Sequence, residues 1–123
     1  MEEIHTSSAP EAIGPYSQGI RSGNLVFTSG QIPLSPATGE LAGDDIVTQA
    51  EQVMKNVQAV LTAAGSSLER TVKTTCFLAD MSDFAQFNQV YAKYFTQKPA
   101  RSCVAVKELP KQVLCEVEVI AEV

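Results

Sequence analysis

Only two stretches of this chain carry apolar side chains at helical spacing. Elsewhere the apolar residues alternate at period two, and that contrast constrains the fold more than any other feature. In the first stretch Ile46, Ala50, Val53, Met54, Val57, Val60, Leu61 and Ala64 fall on one stripe. Asp44 or Asp45 can cap it, and Gly65 ends it as a glycine just past a helix does. In the second, Ser82 stands as cap, Asp83 suits the first turn, and Phe84, Phe87, Tyr91, Tyr94 and Phe95 form an aromatic stripe. Its spacing marks a packed face rather than a platform for bases, and Met54 on the first stripe is core filler. Asn88 lies beside the aromatic stripe, where it is either solvated or lines a pocket.

The alternating segments read as strands. Residues 1–8 suit a short edge strand, and residues 19–23 and 25–32 form a hairpin across Ser22-Gly23-Asn24. Residues 71–79 suit the middle of a sheet. The last two strands cover residues 99–105 and 113–123, with Pro110 breaking the run between them, and they are expected to pair or lie side by side. The order β-β-β-α-β-α-β-β defines one α+β domain over residues 1–123, a six-stranded mixed sheet with two helices on one face. The opposite face keeps its apolar residues and has no second layer, so burial against further copies of the chain is expected.

Charge narrows the partners. A net charge of −5 provides no basic footprint for a nucleic-acid backbone or an anionic membrane, and no apolar run reaches membrane-spanning length. The opening Met1-Glu2-Glu3 is acidic where a signal peptide is basic, which points to the cytoplasm. Cys76, Cys103 and Cys115 are odd in number and set among apolar neighbours, as reduced thiols rather than a disulfide framework or a metal site. His5 has no second ligand or base near it in sequence and reads as a surface residue.

The residue that calls for an explanation is Arg101. It shares a strand face with Cys103, and Cys103 and Val104 read as buried, so the guanidinium needs an anion, most naturally a carboxylate. Glu116 and Glu118 share one face of the following strand. The resulting hypothesis is that Arg101 holds the carboxylate of a small substrate while Glu116, approaching from the next strand, handles a proton or a water molecule. Two further positions admit two readings each. Tyr16, in the Gly14-Pro15 loop, either packs on the core or lines the site with its hydroxyl free; Gly30 marks either a bulge or a peptide N–H left open to a ligand oxygen.

Five ordered motifs now add up to a resemblance that covers nearly the whole chain. They are residues 12–19 (AIGPYSQG), 28–33 (TSGQIP), Ala79-Asp80 before Asp83-Phe84 with Asn88, residues 99–104 (PARSCV), and Leu109-Pro110-Lys111 before Glu116-Val117-Glu118. Together they resemble the RidA/YjgF family of reactive imine deaminases. The resemblance implies a homotrimer with a Bacillus chorismate-mutase-like fold and clefts between subunits. It also implies cofactor-free and metal-free hydrolysis of 2-imino acids to 2-keto acids and ammonia. In such a site Arg101 and the Gly30 N–H meet the substrate carboxylate, Glu116 rather than Glu118 positions water, the backbone around Cys103 completes the pocket, and Tyr16, Ser29 and Asn88 line it. Cys103 is then an apolar side chain and not a nucleophile. Two other classes use the same chain differently: a regulatory trimer that senses 2-keto acids, needing Arg101 but not Glu116, and an RNA-cleaving translation inhibitor, for which an acidic chain is poorly suited.

Overall fold

Asp45, rather than Asp44, opens the longer helix: its carboxylate accepts the Thr48 N–H at 3.0 Å. Helix α1 then runs Ile46–Ala63, and Gly65, at φ +82°, turns the chain out of it. This computed structural model describes residues 1–123 and adds to α1 a second helix, α2 (Phe84–Tyr94), and six strands. The strands are β1 (Glu2–Ile4), β2 (Gly19–Ser22), β3 (Leu25–Thr28), β4 (Thr71–Leu78), β5 (Ala100–Ala105) and β6 (Cys115–Glu122). They form one mixed sheet in the order β1-β2-β3-β6-β4-β5, antiparallel throughout except for the parallel pair β4/β5.

Two local expectations need correction. Ser82 does not cap the second helix. Asp80 accepts the Ser82 N–H at 2.8 Å and caps a 3₁₀ turn over Met81–Asp83, from which α2 continues. The last two strands do not pair either, because β4 lies between β5 and β6. Connectivity explains this: α2 carries the chain from β4 to a parallel neighbour, as a crossover must, and β5 then occupies one edge of β4. The long antiparallel β6 takes the other edge, between β4 and β3.

Alternation gives the sheet two unlike faces. Val26 and Thr28 of β3, Thr74, Cys76 and Leu78 of β4, and Val117, Val119 and Ala121 of β6 are buried with the core of α1 and with Phe87, Val90 and Tyr91 of α2. The opposite face carries Phe27, Phe77, Val104 and Ile120 among Lys73, Thr75, Glu116 and Glu118, and no helix covers it. Phe27 is 40% exposed and Val104 46%, so Val104, expected to be buried, lies open in the isolated chain. No helix is long and apolar enough to cross a membrane.

Two polar residues interrupt the apolar stripe of α1, and both hold loops that lead to the open face. Buried Asn56 donates to the carbonyls of Ile32 and Leu34, each at 3.0 Å. Gln49 donates to the Gly43 carbonyl at 2.9 Å and accepts the Leu114 N–H at 2.7 Å, fixing the chain just before β6. Removing such a donor leaves buried carbonyls unpaired, at about 1–3 kcal/mol for each group left unsatisfied. Asn56→Ala is therefore expected to lose about 2 kcal/mol of folding free energy. A urea titration checks this, and an unchanged midpoint would refute the structural role given to Asn56.

Candidate functional site

Arg101 lies on β5, the edge strand of the sheet, and its register with Thr74 turns its side chain toward α2. There one Nη donates to Asn88 Oδ1 at 2.6 Å. The guanidinium carbon stands 4.7 Å from the Tyr91 ring centroid and 5.5 Å from that of Phe84. The aromatic stripe thus serves as a seat for the cation, worth about 0.5–2 kcal/mol per contact and sparing of side-chain freedom. Asn88 is neutral, and Arg101 forms no ion pair with any acidic residue of the chain. Its charge and its remaining donors face a cavity of about 360 Å³, lined also by Phe95, Thr96 and Lys98. A partly desolvated, unpaired guanidinium of this kind suits a carboxylate.

Glu116 stands on the opposite face. Its register with Phe77 turns it into a second cavity, of about 500 Å³, with Tyr16, Ser29, Gly30, Gln31 and Lys111. Burial, and then the negative charge of Glu118, raise its pKa above the usual glutamate value of 4.5. The absence of a side chain at Gly30 makes room for the Glu116 carboxylate: a Cβ there would clash with it and force the glutamate side chain to move. The chain leaves the β3 ladder just before it. Ser29 donates its N–H to Gln18 and Gln31 donates to Val117, while the Gly30 N–H between them has no partner. The ladder with β6 is thus interrupted at Gly30 and resumes one position out of register at Gln31, which leaves the Gly30 N–H without a partner in the chain.

Tyr16 is 54% exposed with its hydroxyl unpaired, so it does not pack on the core. Its loop is held from below, since the Gln18 amide donates to the carbonyls of Thr6 and Pro10, and the Ser29 hydroxyl donates to the Ser17 carbonyl. Ser29 lines the cavity but its hydroxyl is thereby engaged. Cys103 faces α2, in register with Cys76, and is half-buried rather than fully enclosed. Its pKa is lowered, first by the neighbouring Cys76 thiol and then by the Arg101 charge, against the effect of burial, so it is less inert than an apolar side chain would be.

The candidate residues therefore sort into two groups that do not meet. Asn88, Arg101 and Cys103 belong to the helix side of the edge strand; Tyr16, Ser29, Gly30 and Glu116 belong to the open side. Glu116 does not approach Arg101 from a neighbouring strand, because β4 stands between β5 and β6 and the two side chains leave the sheet in opposite directions. Sequence reasoning missed the seat formed by Phe84 and Tyr91, and the lysines at the two cavities. Lys98 and Lys111 adopt positive φ, +54° and +56°, and no local residue pattern signals that for a lysine. No group of three acidic, histidine or cysteine side chains is arranged to hold a metal ion.

Comparison with known proteins gives one consistent answer at the level of family. The model of the family described as endoribonuclease L-PSP matches residues 6–123. A Lactococcus lactis protein whose name proposes a regulator, AldR, is 55% identical over 100% of this chain and 98% of its own. The Escherichia coli protein named 2-iminobutanoate/2-iminopropanoate deaminase is 50% identical over 96% of this chain and 94% of its own. The crystal structure of E. coli TdcF with bound serine superposes with a TM-score of 0.96 at 46% identity, over 100% of this chain and 99% of that one.

The environment of Glu116 makes a measurable claim. In a carboxyl-carbon NMR titration Glu116 should titrate above 4.5, and Glu118→Gln should move the midpoint down by removing one of the two causes that raise it. A midpoint insensitive to Glu118 would show that burial alone sets it.

Proposed function

The chain belongs to the endoribonuclease L-PSP family, to which RidA and YjgF belong, and from that premise we propose that it hydrolyses 2-imino acids to 2-keto acids and ammonia. The observation that carries the proposal is the Arg101 guanidinium, seated on two rings and unpaired with any carboxylate of its own chain. The serine bound to TdcF and the deaminase name of the E. coli relative support a substrate with a carboxylate beside a nitrogen-bearing carbon.

In this reading the two groups of residues come from different copies of the chain. The open sheet face, with Phe27, Phe77, Val104 and Ile120, packs in a homotrimer. Each cleft then joins Asn88, Arg101 and Cys103 of one subunit to Tyr16, Ser29, Gly30 and Glu116 of the next. Arg101 and the Gly30 N–H hold the carboxylate of the imino acid. Glu116 accepts a proton from water as its oxygen attacks the C=N carbon, and that proton passes to the nitrogen. The carbinolamine then collapses: its hydroxyl proton passes to the amine nitrogen, the C=O double bond forms as the C–N bond breaks, and ammonia leaves a 2-keto acid. The substrate is itself an electrophile, so holding an anion and aiming a water are enough. Charge-assisted contacts are worth about 1.5–3 kcal/mol, and a placed base adds about 100-fold.

A regulatory reading has one observation in its favour, the name of the L. lactis relative; such a trimer would bind 2-keto acids through Arg101 without needing Glu116. An RNA-cleaving reading is disfavoured by the net charge of −5.

The decisive assay releases imine from an amino-acid oxidase or dehydratase and follows keto-acid formation. Arg101→Ala is expected to lower kcat/KM by about 10- to 100-fold, and Glu116→Ala by about 100-fold or more. Undiminished hydrolysis by Glu116→Ala would overturn the mechanism, and ligand binding without any hydrolysis by the wild type would favour the regulatory reading. As the pH falls through the raised Glu116 midpoint the base takes a proton, so wild-type kcat/KM should decline there, and Glu116→Gln should lack that limb. Mixing the two inactive variants tests the shared cleft. Co-refolded subunits should recover about a quarter of the wild-type sites, and no recovery would refute a cleft assembled from two chains.

A further inference from the structure

Cys76 and Cys103 are in-register partners on the parallel strands β4 and β5, and both side chains leave the sheet on the side of α2. We propose that this cross-strand dithiol is an oxidation site for small hydroperoxides, which convert it into an intrachain disulfide. Neighbouring strands set such partners about 4.8 Å apart at Cα, inside the range of about 4.4–6.8 Å that a disulfide spans. β5 is the edge strand, with no neighbour on its far side to resist the small approach that bond formation needs.

The two sulfurs have unlike environments, and that difference assigns their roles. Cys103 is half-buried and follows Arg101 by two residues on the same strand face, and the neighbouring Cys76 thiol and then the Arg101 charge lower its pKa against the effect of burial, so its thiolate is favoured. Cys76 is fully buried, its S–H donates to Thr74 Oγ1 at 4.0 Å, and the neighbouring Cys103 and then burial push its pKa well above the usual thiol value, so it stays protonated. The Cys103 thiolate attacks the peroxide: an S–O bond forms, the O–O bond breaks, and the departing oxygen takes a proton to leave as water or an alcohol. The sulfur of Cys76 then attacks the sulfenic acid. An S–S bond forms, the S–O bond breaks, and hydroxide leaves with the Cys76 proton as water. The dithiol supplies the two electrons that reduce the peroxide. A resolving thiol this close intercepts the sulfenic acid before further oxidation to the irreversible sulfinic and sulfonic forms.

Cys115 provides an internal control. It is buried and pairs with Leu78, two residues out of register with Cys76, and burial raises its pKa to about 12. It should remain a free thiol throughout.

The test treats the reduced full-length protein with hydrogen peroxide in slight excess and maps it without reduction after trypsin. The expected product has lost two hydrogens and joins residues 74–93 to residues 102–107 within one chain, with Cys115 alkylated only after denaturation. Dithiothreitol should restore both thiols. Cys76→Ala should give sulfinic and sulfonic acid at Cys103 under the same treatment, and Cys115→Ala should keep the 76–103 link. The wild-type map decides the matter by itself: unmodified thiols, overoxidised Cys103 without a link, or a Cys103 link between chains would each overturn the proposal. These readouts are masses, so they are independent of imine hydrolysis.

Discussion

A single sheet covered by helices on one side has two faces that cannot exchange residues, and the rest of this molecule follows from that constraint. Along any strand the side chains alternate, so Arg101 and Cys103 go to the helix side while Ser102 and Val104 go to the open side. On β6 the same rule sends Val117 and Val119 into the core and Glu116 and Glu118 outward. A cation and a carboxylate that chemistry would join are thereby parted by the sheet itself.

The separation also leaves each group without the other as a partner within the chain. Arg101 in reach of Glu116 within one chain would be neutralised by it, and burying the pair would cost more than it returned. Apart, the guanidinium is steadied by rings and a neutral amide, and Glu116 is left with burial and a like charge, which favour its proton. Gly30 keeps the space in which that carboxylate sits. The buried amides of Asn56 and Gln49 and the loop-binding Gln18 hold the irregular segments around these groups, so loops rather than strands bring Tyr16 and Gly30 to the cavity.

The thiol pair follows from the same geometry. Parallel pairing of β4 with β5 brings Cys76 and Cys103 level and on one side, beside the charge of Arg101. An antiparallel neighbour in another register would have left two ordinary core cysteines. Spacing in the chain, 27 positions from one thiol to the other, carries no trace of this.

By itself the sequence determined most of the elements and the α+β class, and it singled out the candidate site residues, because periodicity, caps and punctuation are local. The α1 stripe, Gly65, the Ser22-Gly23-Asn24 hairpin and the long central strand were legible for that reason, as was the oddity of an arginine without an anion. The cap of the second helix was not, since Asp80 and Ser82 offer similar local chemistry and the turn between them decides. Tertiary structure alone chose which strands are neighbours. That choice depends on crossover connectivity and on burial of residues far apart in the chain, and it placed β4 between β5 and β6, Arg101 against Phe84 and Tyr91, and Glu116 on the face that no helix covers.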